Sequence, residues 1–292
     1  MQGPRHRRGQ QDRAQPHPAA VEVEALVLDV IPHGLYNDPH REHRDGPVAQ
    51  AIGVKRFTLL DGTPVGDIDL FDRVTLAREI GKTIPVPTPR GVRRMTITLG
   101  CLPGPESIIY CAPLKHLQDD VHQALVEAIE SDTPRVRVVG LEDLAKAAEA
   151  KGLSPKILVV PRTPITYENL TNLARSNLVE AIKRIIASNE EFFVRFFNVA
   201  GLISIRQHAL ELLKGVGKRT VKQAIKQREK KPFTSFEEVK KVLKIDPVEA
   251  LAEKIAEEIR GEAKYYLFIP PPDPKYPFFD YLPQMRGEKR QR

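Results

Sequence analysis

The chain has no tryptophan, two cysteines in 292 residues, and no apolar run approaching the length of a membrane span. Two cysteines, Cys101 and Cys111, are too few for a disulfide scaffold, although one bridge between them stays open. The missing apolar run excludes a bilayer-crossing helix. The first residues lack the apolar stretch of a signal peptide, so the expected location is the cytoplasm. Charge is not one-sided either: 45 basic against 38 acidic residues gives +7, with a pI near 9.3. So modest an excess favours polyanionic partners only weakly, and its distribution carries more information.

The positive charge concentrates at 214–231, where Lys214, Lys218, Arg219, Lys222, Lys226, Arg228, Lys230 and Lys231 face a single acid, Glu229. At its head stands Gly215-Val216-Gly217-Lys218-Arg219-Thr220. The pattern predicts a helix-hairpin-helix. A first helix opens at Ser204, with Gln207 completing a capping box, and turns Ile205, Leu210 and Leu213 inward. A second begins near Lys218 with Val221, Ala224 and Ile225 inward. Gly215 and Gly217 are expected at positive φ, freeing the N–H groups of Val216, Gly217 and Lys218 to meet a phosphate, with the helix dipole adding to the attraction. A Walker loop is excluded because Arg219 follows Lys218 and a helix precedes. A dinucleotide fingerprint fails because Thr220 stands where its third glycine belongs. The plainer alternative is a C-cap glycine between ordinary helices with a solvated basic face. The expected nucleic-acid contacts are Lys214, Gly215, Val216, Gly217, Lys218, Arg219, Thr220 and Lys222, joined by Arg41 and Arg44 from an upstream loop.

The expected fold class is α+β: a small OB-like antiparallel β-barrel with an inserted α/β segment, followed by a helical helix-hairpin-helix domain. Residues 1–20 form a basic arm without apolar periodicity, disordered in isolation. Residues 21–85 carry short strands at 25–31, 47–53, 56–60 and 72–80, separated by Asn-Asp-Pro, Asp-Gly and Val-Gly turns. The segment 86–156 adds strands near 93–99, 107–112 and 135–139 and helices near 114–130 and 141–151. Its mixed charge suits an appended module that contacts protein, and the remainder is expected to fold without it. Residues 157–269 open with a strand near 157–160 and then read as helical. Capping boxes stand at Ser188 with Glu191 and at Ser235 with Glu238, and Asp246-Pro247 starts a helix ending at Gly261. The helices of 236–260, joined by Lys244-Ile245-Asp246-Pro247, look like a second hairpin that has lost its glycines. Tyr265–Ile269 is expected to be a closing strand. Residues 270–292 form a Pro-rich, basic tail whose Tyr276, Phe278, Phe279 and Tyr281 are free to stack on bases.

Several of these stretches together resemble a known family. They are Val27-Leu28-Asp29-Val30-Ile31-Pro32, Pro47-Val48-Ala49-Gln50-Ala51-Ile52-Gly53, Phe57-Thr58-Leu59-Leu60, Glu190 to Asn198 with its four phenylalanines, and His208 to Leu213 leading into Gly215-Val216-Gly217-Lys218. They resemble the archaeal family of predicted RNA-binding proteins called domain of unknown function 655, over about 21–85 and 157–270. The resemblance implies an OB-like barrel joined to a helix-hairpin-helix region, in proteins encoded beside translation genes. It says nothing about 86–156 or the two tails.

The loop 31–46 holds His33, Asp38, His40, His43 and Asp45, residue types suited to a metal or to acid–base work at a phosphodiester. The plainer reading is a polar loop meeting RNA phosphates through His40, Arg41, His43 and Arg44. Cys101, Cys111, His116 and His122 do not have zinc spacing, since nine residues separate the cysteines and the histidines differ by roughly 120° around a helix. Phe192, Phe193, Phe196 and Phe197 recur at helical spacing and read mostly as core. The expected function is non-catalytic binding of RNA, ribosomal RNA foremost, in association with translation. No cofactor, metal or membrane is expected, and ribosomal proteins are possible partners of the inserted segment or tail. The competing reading is a DNA- or RNA-processing or repair enzyme, or its accessory subunit, with a histidine/aspartate site in 29–45. Convergence of Asp29, His40 and His43 in one cleft would favour it.

Overall fold

The computed structural model describes residues 22–35, 40, 43, 46–88 and 91–288. Strands β1 (Glu24–Ile31), β2 (Val48–Gly53), β3 (Leu59–Val65), β4 (Arg73–Thr88), β5 (Gly91–Pro103) and β6 (Ile109–Pro113) come first. Helix α1 (Asp119–Glu130), strand β7 (Val136–Val138), helix α2 (Leu141–Glu149) and strand β8 (Ile157–Val160) follow. The helical half holds α3 (Asn172–Ala187), α4 (Glu190–Val199), a short β9–β10 ribbon (Leu202–Ser204 and Gln207–His208), α5 (Lys218–Lys230), α6 (Phe236–Leu243), α7 (Pro247–Ile259) and α8 (Tyr281–Met285).

The first eight strands form one sheet in the order β1-β2-β3-β8-β4-β5-β6-β7, and β1 also pairs with β4. The pairings therefore run β1-β2-β3-β8-β4 and return to β1. The sheet is not wholly antiparallel as expected, because β8 runs parallel to β4 and β7 parallel to β6. Alternation along the strands splits two faces. Val27, Ala49, Ala51, Leu60, Leu76 and Val160 fill one cluster. Leu26, Leu28, Ile52 and Leu59 point the other way, into the core of the helical half. The Asp61-Gly62 dipeptide is no turn: it lies within β3 and pairs with β2. Gly62 is required by close approach, since a Cβ there would lie 2.5 Å from the Val159 carbonyl oxygen of β8.

β4 runs on past Ile80, pairing with β5 from Arg78 to Thr88, so the 86–156 segment continues the same sheet. Cys101 and Cys111 stand opposite each other on β5 and β6 and are joined as a disulfide. Leu144, Ala147 and Ala148 of α2 cover Ala77, Ile157 and Val159, residues of the ring strands themselves. Excising 86–156 behind a Gly-Ser linker is therefore expected to expose these side chains at about 1–3 kcal/mol each. Urea unfolding checks this, and an unchanged midpoint would show the segment to be dispensable.

The helical half departs from the local reading in four places. No α-helix spans 204–213: a strand ribbon is followed by a 3-10 turn at Ala209–Leu212. His208 Nδ1 accepts from Leu210 N–H, and the Glu211 carboxylate accepts from His208 N–H, so the cap forms four residues later than Ser204. Ile205, expected inside, is 98% exposed at the ribbon tip. Ser188 caps no helix start; it ends α3, its hydroxyl donating to Ile185 O. Tyr265–Ile269 is not a strand, because the N–H groups of Leu267, Phe268 and Ile269 donate to the buried Glu258 carboxylate instead of a neighbouring strand. The tail packs: Tyr281, Leu282 and Met285 are buried, so Tyr281 is unavailable for stacking. The caps at Ser235 and Asp246 form as the spacing predicts, and Phe193, Phe196 and Phe197 are core.

Candidate nucleic-acid interface and a histidine cluster

The basic turn is anchored from both sides. Leu213 and Val216 are buried below it, as are Val221 and Ala224 on the inner face of α5. Gly215 takes φ +85°, a left-handed conformation that side chains resist, and a Cβ there would come within 3.1 Å of Ile245. Gly217 is different from expectation: at φ −106° and ψ 169° it is extended, and a Cβ would meet nothing within 4 Å. The N–H groups are redistributed as well. Val216 N–H donates to Leu213 O at 3.1 Å, and Gly217 N–H to Thr220 Oγ1 at 3.1 Å. Those available to a ligand belong to Lys218, Arg219 and Thr220, the first turn of α5, where no preceding helical carbonyl exists.

Lys214, Lys218, Arg219, Lys222 and Lys226 are exposed around this end. Lys218, Lys222 and Lys226 follow at four-residue intervals and line one side of α5. Two cations of the cluster are committed elsewhere. Arg228 points inward and donates to the carbonyls of Phe197 and Ala200 at 3.0 and 2.7 Å. Lys231 pairs with Glu238 at 2.9 Å, which holds that carboxyl down to about 2. The second turn is built differently. Lys244 adopts the left-handed conformation, and the Asp246 carboxylate caps α7. An acid occupies the place a phosphate would take. Arg41 and Arg44 lie outside the described residues.

The loop histidines do converge, but not on Asp29. His40 Nδ1 and His43 Nδ1 each lie 2.9 Å from Asp61 Oδ2, and His40 Nε2 lies 2.7 Å from the Thr163 hydroxyl. Asp29 instead accepts from the Thr171 hydroxyl at 2.6 Å, tying β1 to the cap of α3. In register, Asp29, Gln50 and Asp61 form a polar row across β1, β2 and β3. Its middle member holds the chain before α3, through Asn169 O and Thr171 N–H. Burial would raise the Asp61 carboxyl, but hydrogen bonds from His43 and His40 outweigh it and hold the group below the ordinary aspartate value. His33 is exposed, and Asp38 and Asp45 lie outside the described residues. Asp61 escaped the sequence reading because Asp-Gly mimics a turn. Thr163 carries no local signal at all.

These features define an α+β protein in which an eight-stranded sheet is fastened to a helical half bearing a glycine-turned basic helix end. The chain belongs to the family described as protein of unknown function (DUF655), whose family model matches residues 21–270. It is 38% identical over 121 residues to an uncharacterized protein of Methanocaldococcus jannaschii, a match covering 41% of this chain and 55% of that relative's length. The chain thus spans little more than half of that relative. A solved structure from Archaeoglobus fulgidus carrying the same family description superposes with a TM-score of 0.49 at 25% identity, over 85% of this chain and all of the other. Both relatives are archaeal. No helix among the described residues is long and apolar enough to cross a membrane.

Proposed function

We propose that the protein is a non-catalytic, cytoplasmic RNA-binding protein associated with translation. In this reading Leu210 to Lys230 is a helix-hairpin-helix whose first helix is reduced to a 3-10 turn, and the ring β1-β2-β3-β8-β4 is an OB-like second contact surface. One observation carries it. The N–H groups of Lys218, Arg219 and Thr220 open α5 directly after a glycine turn, where a Cβ at Gly217 would meet nothing within 4 Å, and exposed Lys214, Lys218, Arg219 and Lys222 surround them. Such an end attracts phosphate through oriented N–H groups, the helix dipole and mobile cations together. Structured RNA, ribosomal RNA foremost, is the partner such contacts favour, because they read backbone and shape rather than base edges. Affinity is expected to fall steeply with salt through counterion release, with little dependence on sequence. Filter binding across a salt series tests this, and absent or salt-insensitive binding would sink it.

The convergence of His40 and His43 gives the processing-enzyme reading its one specific support. Labelled RNA and DNA incubated with magnesium, manganese or zinc are expected to stay intact. Reproducible cleavage abolished by His40→Ala would replace the binding reading with the enzymatic one.

A further inference from the structure

We propose that His40, His43 and Asp61 form a binding site for a divalent transition metal, zinc by its donor set, which ties the two histidines to strand β3. The three side chains offer ligand atoms that all lie within 4.8 Å of one another. They come from separate parts of the chain: a turn in which His43 N–H donates to His40 O at 3.1 Å, and the middle of β3. The turn presents both imidazoles to the same carboxylate, their centroids 5.5 Å apart and their planes at 73°.

Tetrahedral zinc, with bonds to N and O near 2.1 Å, needs ligand atoms about 3.4 Å apart. The two Nδ1 to Oδ2 separations of 2.9 Å reach this by opening about half an ångström, within the play of side-chain torsions. Two imidazoles and a carboxylate suit zinc and its neighbours rather than magnesium or calcium, which take oxygen donors. A second, independent observation points to a cation. The Asp61 side chain is 1% exposed, and its Oδ1 accepts no hydrogen bond among the described residues. Once metal occupies Nδ1 of His40, the ring proton resides on Nε2 and donates to the Thr163 hydroxyl already 2.7 Å away. That is the outer hydrogen bond that orients a metal-bound histidine. The His40 side chain, 13% exposed, marks the side from which the ion and a fourth ligand, water, enter.

The test uses the full chain, stripped with a chelator and titrated with Co2+ and then Zn2+. The wild type is expected to bind one equivalent beyond any taken up by a His40→Gln, His43→Gln chain, to show the intense visible absorption of four-coordinate cobalt, and to gain thermal stability with Zn2+. Asp61→Asn, nearly isosteric, is expected to lose the cobalt band, and Thr163→Val to weaken zinc at least tenfold through the His40 orientation. Equal zinc uptake by the wild type and the double variant would overturn the site. So would a wild-type cobalt spectrum of octahedral, weak intensity, a reading that depends on no variant folding.

Discussion

Glu258→Ala is expected to cost this protein ~3–5 kcal/mol, the scale for breaking a buried charged network by removing one partner. Against a typical total of about 5–15 kcal/mol that approaches unfolding. Glu258 sits on α7 with its side chain fully buried. Its carboxylate takes the N–H groups of Leu267, Phe268 and Ile269 at 2.8 to 2.9 Å. Lys254, itself only 4% exposed, lies 3.7 Å away and pairs with Glu257 at 2.8 Å. Truncation strands three donors in a core that also holds Phe268 and Tyr281. Lys254 is thus part of a buried network, and Lys254→Ala is expected to destabilise the fold too. Burial outweighs Lys254 and the three N–H groups and pushes the Glu258 carboxyl up to about 7 from 4.5. The folded chain then holds a proton that the unfolded chain releases, so stability falls as pH rises from 4.5 to about 7 and levels off above. Glu258→Gln is expected to remove that slope. Urea midpoints across pH measure both effects, and a Glu258→Ala loss under ~1 kcal/mol would show the network to be dispensable.

The second large effect is on RNA. Reversing two charges in Lys218→Glu, Arg219→Glu is expected to abolish measurable binding at physiological salt. The neutral Lys218→Ala and Arg219→Ala are each expected to remove about one phosphate contact and one unit of salt slope. Backbone geometry separates from charge at the glycines. Gly215→Val is expected to weaken both fold and binding, because φ is +85° and Ile245 stands 3.1 Å from the new Cβ. Gly217→Ala should leave the fold intact, since its backbone is extended and its surroundings open. Unchanged RNA affinity in the folded double charge-reversal variant would make the basic turn a solvated face and defeat the proposed function.

Residue spacing alone sufficed for several elements whose cause and effect lie within a turn or two of chain. Ser235 caps Glu238, Asp246-Pro247 opens α7 and Gly261 closes beyond it at φ +76°, because each interaction involves neighbours three or four positions apart. The basic cluster was equally plain. Local reading failed where a distant group outcompeted a near one. Glu258 took the N–H groups that would have made 265–269 a strand. β8 pressing on Gly62 turned an apparent Asp-Gly turn into mid-strand. Asp61 meets His40 and His43 across 21 and 18 residues, and His40 meets Thr163 across 123. Such pairs follow from strand order and layer packing, which summed long-range burial selects. Short-range spacing thus supplied the chemistry available to this chain, and packing chose which groups face one another.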